Sequence, residues 1–105
     1  MGWIGVDLDG TLAKYSGWKG ESIIGDPVVL MKARVLRWIK EGKDVRILTA
    51  RAGTERGKKA VEEWLLKNGF GKLKVTDRKD YTMEILYDDR CMQVEKNTGK
   101  LIKKV

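Results

Sequence analysis

A chain of 105 residues with 42% hydrophobic side chains can bury one core and is too apolar to stay disordered. One Cys excludes an internal disulfide, and the absence of His removes the commonest general base and transition-metal ligand, leaving acid–base work to carboxylates and any metal to oxygen, which favours Mg²⁺ over zinc. The net charge of +7 suits anionic partners, phosphorylated small molecules or nucleic acid, and serves equally as a solubilising surface.

No apolar run reaches the ~20 residues of a membrane span and the start of the chain lacks a signal-peptide pattern, so the expected setting is cytoplasmic, with no membrane partner. Trp3-Ile4-Gly5-Val6 reads as a buried strand, and Asp7-Leu8-Asp9-Gly10-Thr11 follows it. Residues i and i+2 of a strand project to one side, so Asp7 and Asp9 would crowd where Gly10 lets the chain turn. Two unit charges ~4 Å apart repel by ~4 kcal/mol at an effective dielectric of ~20. A fold tolerates that if a cation sits between them, if one is protonated, or if they diverge. An Asp-Gly hairpin turn accounts for Asp9-Gly10 but not for Asp7.

Leu12 to Gly25 is too long and Gly-rich for a simple strand-to-helix turn and reads as a binding loop or lid. Tyr15 and Trp18 in it can cover the Asp pair, stack on a substrate ring, or pack the loop onto the body. Ile23-Ile24 suggests a return strand and hence a small hairpin flap. Asp26 as N-cap and Pro27 at the first helical position open a helix that Gly42 ends, with Val28, Met31, Val35, Trp38 and Ile39 as its apolar stripe. Val45 to Thr49 is the second strand. Thr54 caps a second helix reaching about Asn68, and Gly69-Phe70 closes it, Phe70 folding back towards Leu65. Leu73-Lys74-Val75 is a third strand, Thr76 to Tyr81 a polar loop, and Glu84 to Tyr87 a fourth strand ending in Asp88-Asp89-Arg90. Cys91 reads as a small core residue. Met92–Glu95 and Lys100–Lys103 flank Asn97-Thr98-Gly99 as a terminal β-hairpin.

This alternation predicts an α/β domain over residues 1–105 with a mostly parallel sheet flanked by helices. Ligands of such sheets bind beyond the carboxyl ends of the strands. The polar candidates fall there: Asp7 and Asp9, Thr49 and Arg51, Asp88 and Asp89, with Lys79 in the loop after the third strand.

These residues resemble the haloacid dehalogenase superfamily of phosphotransferases. Asp7-Leu8-Asp9-Gly10-Thr11 matches its Asp-x-Asp-x-Thr/Val motif. Thr49 matches its Thr or Ser at the end of the next core strand, Lys79 its Lys, with Arg78 adjacent, and Asp88-Asp89 its acidic pair. The resemblance implies a Rossmann-like fold and Mg²⁺-dependent phosphoryl transfer. Asp7 would be the nucleophile and Asp9 the acid–base group. Mg²⁺ would take the Asp7 carboxylate, the Asp9 backbone carbonyl and Asp89, with Asp88 a water-mediated ligand or a partner of Lys79. Thr49, Lys79 and the backbone N–H groups around Leu8 and Gly10 would hold the phosphoryl oxygens. Arg51, Tyr15 and Trp18 are candidate substrate contacts. No stretch is long enough for the cap domain of larger members, and capless relatives act on bulky substrates or close their sites by homo-oligomerisation.

The expected function is hydrolysis of a phosphomonoester through an aspartyl-phosphate, with a nucleotide or nucleic-acid end as the favoured substrate. The competing function is a non-catalytic phosphate or nucleic-acid binding module on the same fold.

Overall fold

The computed structural model describes residues 2–102. Four strands form one all-parallel sheet: β1 (Trp3–Val6), β2 (Val45–Leu48), β3 (Lys74–Thr76) and β4 (Met83–Tyr87), in the order β3-β2-β1-β4. Helix α1 (Val29–Lys40) joins β1 to β2, and α2 (Glu55–Lys67) joins β2 to β3. A two-stranded antiparallel hairpin, β5 (Gln93–Val94) and β6 (Leu101–Ile102), follows β4. Its turn places Asn97 and Gly99 at positive φ, and Lys103, expected at the end of β6, lies outside the described residues.

The core lies between the sheet and both helices. Val35 and Trp38 of α1 and Val61, Trp64 and Leu65 of α2 close on Val6, Val45, Ile47 and Val75. Trp38 meets the Tyr87 ring at 4.9 Å, coupling α1 to the edge strand β4. The α2 ends form as read: the Thr54 hydroxyl accepts from the Gly57 N–H, and the Phe70 N–H donates back to the Leu65 carbonyl, with its ring stacked on Trp64.

The α1 start departs from expectation. Asp26 and Pro27 do not open the helix, which begins at Val29 without a side-chain cap. Their backbone is committed elsewhere. Asp26 accepts from the Lys14 N–H, Pro27 bridges Ala13, and the Val28 N–H donates to Leu12. These contacts bring the two ends of Lys14–Gly25 together, so the segment is an Ω-shaped loop. Ile23-Ile24 forms no strand, and the flap is held by side chains instead of a hairpin ladder.

The path into β4 is a loop, as the sequence suggests. β3 and β4 occupy opposite edges of a parallel sheet, so residues 77–82 must return from the carboxyl edge to the amino edge past β2 and β1. No helix does this. The segment crosses the face opposite α1 and α2, where Asp80 accepts from the Trp3 indole N–H at 2.9 Å and approaches Arg46 at 3.8 Å. Arg46 lies over the Trp3 ring, and Trp3 covers Gly5.

Candidate active site

Parallel pairing aligns the carboxyl ends of the strands, so the residue after each strand reaches one edge. The Asp7 N–H continues the β1–β4 ladder by donating to the Tyr87 carbonyl at 2.9 Å, which sets Asp7 beside Asp88 and Asp89. Each of these three offers a carboxylate oxygen, all within 4.8 Å of one another. The buried Thr11 hydroxyl spans the group, 3.3 Å from Asp7 Oδ2 and 3.1 Å from Asp89 Oδ1, while accepting from the Asp89 N–H at 3.0 Å. Thr11 enters the sequence reading only as part of a motif; here it ties β1 to the β4 loop.

Gly10 is required twice over. Its φ is +91°, and a Cβ there would stand 2.5 Å from Asp89 Oδ2. The turn itself is closed by the Leu8 carbonyl, which accepts from the N–H groups of Thr11, Leu12 and Ala13.

Burial, then the Asp88 charge and the Asp89 carboxyl, push the Asp7 carboxyl up from the ordinary 3.8 to about 7. Of the three ways to relieve the crowding of Asp7 and Asp9, the chain uses divergence. Asp9 turns to Arg51, whose Nε and Nη2 donate to its two oxygens at 2.8 and 3.0 Å. Asp7 keeps the company of Asp88 and Asp89.

Arg51 follows from the end of β2. Thr49, buried, accepts from the Arg51 N–H and caps a short 3₁₀ turn, Ala50–Gly53. That turn packs so tightly on α2 that a Cβ at Gly57 would stand 2.0 Å from the Arg51 carbonyl. The Arg51 side chain is buried, and its Nη groups also donate to the carbonyls of Gly20, Glu21 and Ile23 at 2.8–3.1 Å. Trp18 lies against the guanidinium, 4.7 Å from its ring centre. The Thr54 hydroxyl donates to the Glu21 carboxylate, and the Trp64 indole to the Gly25 carbonyl.

The cleft above this edge measures about 770 Å³ and is lined by Asp7, Asp9, Asp88 and Asp89 together with Tyr15, Trp18 and Thr49. The Thr49 hydroxyl has its proton left to donate into it. Arg51 and Arg90 are the two cationic residues of the lining. The exposed Arg90 follows the acidic pair, where the Asp88 carboxylate accepts from its N–H.

Several sequence expectations fall differently. Lys79 and Arg78 are exposed in the connection from β3 to β4, and neither lines the cleft. The Gly10 N–H is spent on the Ala13 carbonyl at 2.8 Å, whereas the Leu8 N–H addresses the Asp7 carboxylate. Cys91 is exposed, not core. Arg51, Trp18 and Tyr15, the candidate substrate contacts, do line the cleft, with Trp18 against Arg51 and Tyr15 about half exposed. Compared with models of protein families, with curated proteins and with solved structures, the chain finds no match.

Proposed function

We propose that this chain is a small phosphatase of the haloacid dehalogenase type, with a Rossmann-like sheet, acting on a phosphomonoester through an aspartyl-phosphate. The observation that carries the reading is the convergence of Asp7, Asp88 and Asp89, from the ends of two parallel strands, at an open cleft beside the Thr49 hydroxyl.

The donor set suits Mg²⁺: all oxygen, from adjacent strand ends, with an Asp7 carboxyl that burial and its two acidic neighbours hold well above its ordinary range. Asp7 and Asp89 would hold the ion, with Asp88 alongside and the Asp9 carbonyl as a further ligand. When bound, Mg²⁺ offsets the mutual repulsion of the carboxylates and of the anionic phosphate.

The residues then divide the work. An Asp7 carboxylate oxygen attacks phosphorus as the bond to the leaving oxygen breaks, and Asp9 gives that oxygen its proton. In the second step Asp9 takes a proton from the attacking water. Phosphorus passes to that water's oxygen, phosphate leaves, and Asp7 is restored. Thr49 donates to the phosphoryl oxygens, and Arg90 supplies the positive charge assigned by sequence to Lys79.

The substrate class favoured is a nucleotide or nucleic-acid end. Beyond Ser22 of the flap, a second groove of about 390 Å³ carries Arg56, Lys59 and Lys67, with Glu63 the one acidic residue in its lining. This same groove favours the second reading, a non-catalytic nucleic-acid module.

Hydrolysis of p-nitrophenyl phosphate and a panel of nucleotides, with and without Mg²⁺, separates the two. The phosphatase reading expects Mg²⁺-dependent turnover that Asp7→Asn abolishes in a folded protein. Absence of turnover, together with salt-sensitive oligonucleotide binding indifferent to Asp7→Asn, selects the binding module.

A further inference from the structure

An arginine has five N–H donors, and all five of Arg51 are taken. Nε and one Nη2 proton hold the two Asp9 oxygens, the second Nη2 proton holds Ile23, and the Nη1 pair holds Gly20 and Glu21. No donor remains for a phosphate. Its charge is matched by Asp9 alone, within a side chain that is 3% exposed. The acceptors come from two different pieces of chain: the carboxylate from the β1 turn and the three carbonyls from the flap.

We infer that Arg51 is a positioning residue that fastens the Asp9 carboxylate and the flap to one another, so that Asp9 is held in the cleft only while residues 20–23 are seated. Each flap carbonyl alone is a weak tether, but the three converge on one planar cation whose orientation is set by Asp9. Removing Asp9 frees the guanidinium to turn; unseating the flap strips Arg51 of three of its five partners. Each Asp9 oxygen keeps a further lone pair, so the grip fixes the carboxylate without blocking its proton traffic. In a site with only a loop above it, this contact makes the covering element and the acid–base group one unit. The catalytic half of the inference rests on the phosphatase reading; the flap half does not.

The test uses the whole chain. Lys14 and Lys19 lie exposed in the flap and are natural trypsin sites, whereas Lys40 and Lys43 lie at the far end of α1 and report on the rest of the fold. Cleavage is followed site by site by mass spectrometry in wild type, Arg51→Ala, Arg51→Lys and Asp9→Ala. The expected result is cleavage at Lys19 at least about tenfold faster in Arg51→Ala and Asp9→Ala, with cleavage near Lys40 and Lys43 unchanged. Arg51→Lys, which keeps the charge but cannot fork, gives an intermediate rate and carries the test if the alanine variant fails to fold. With p-nitrophenyl phosphate, Arg51→Lys lowers kcat more than it changes KM, because Arg51 makes no contact with the anion. Wild-type flap protection in Asp9→Ala, or in both Arg51 variants, overturns the coupling. A wild-type enzyme without turnover overturns the phosphatase reading and leaves the cleavage result to decide the flap half. Loss of flap protection with kcat unchanged and KM raised overturns the positioning role.

Discussion

At the scale of single residues, Asp7 carries the sharpest consequence. Its carboxyl ordinarily titrates near 3.8 and is raised to about 7 in the folded chain. The native state therefore keeps a proton that the unfolded chain releases, and stability falls as pH rises from about 4 to about 7. Since Asp7 is only half-buried, solvent screening reduces the loss to about 1–2 kcal/mol. Asp7→Asn removes the ionisation, so the variant melts above wild type at pH 8 without Mg²⁺, and the difference disappears near pH 4. Thermal melts across that range check it; a parallel pH dependence in both proteins contradicts it. Gly10→Ala meets the Asp89 carboxylate and a left-handed φ together. It costs about 1–3 kcal/mol in stability and weakens any ion held by Asp7 and Asp89, as read by melting with and without Mg²⁺. Arg90→Ala raises KM for p-nitrophenyl phosphate, whereas Lys79→Ala leaves kcat and KM at wild-type values; the reverse pattern returns the anion-binding role to Lys79.

At the scale of elements, what was legible in the sequence was what is local. β1, β2, α2 with its Thr54 cap, and the Phe70 closure depend on period, capping and a Gly at the end, all contained within a few neighbouring residues. The acidic pair after β4 was legible for the same reason. Lys79 was misplaced because its position depends on a global choice. β4 joins the free edge of β1, and this sends the connection after β3 back across the sheet, where Asp80 meets Trp3. No pattern within the loop reports that. The start of α1 was misread because Asp26-Pro27 has good capping chemistry, but the neighbouring chain claims its backbone to close the flap. Arg51 was named, yet its partners lie 28 to 42 residues away in sequence. The one available signal was the crowding of Asp7 and Asp9, which asked for a cation; Arg51 answers for Asp9, leaving Asp7 to Asp88 and Asp89. The crossover itself is fastened by Asp80. Donors from Trp3 and Thr82, with help from Arg46, hold its carboxyl down at about 2. Asp80→Ala leaves the Trp3 indole N–H without this partner and lowers the melting temperature at neutral pH. In wild type the contribution of Asp80 is present above about 4 and is lost as pH falls through about 2. An unchanged melting temperature in the variant removes the crossover anchor from the account.

At the scale of the whole molecule, the sheet has helices on one face and a stretched connection on the other, so nearly all its chemistry gathers on one edge. The edge is organised as two charge systems. Asp9 pairs with Arg51 and is tied to the flap; Asp7, Asp88 and Asp89 form no ion pair among the described residues. The first joins the loop to Asp9 through one side chain. The second is the group that would hold Mg²⁺ in the proposed phosphatase. The crystal structure of the chain soaked with Mg²⁺ and beryllium trifluoride tests this most directly. The account predicts beryllium of the trifluoride bonded to an Asp7 carboxylate oxygen, one Mg²⁺ touching both Asp7 and Asp89, and Arg51 still on Asp9. Beryllium trifluoride bound elsewhere, or Asp7 and Asp89 sharing no ion, would contradict it.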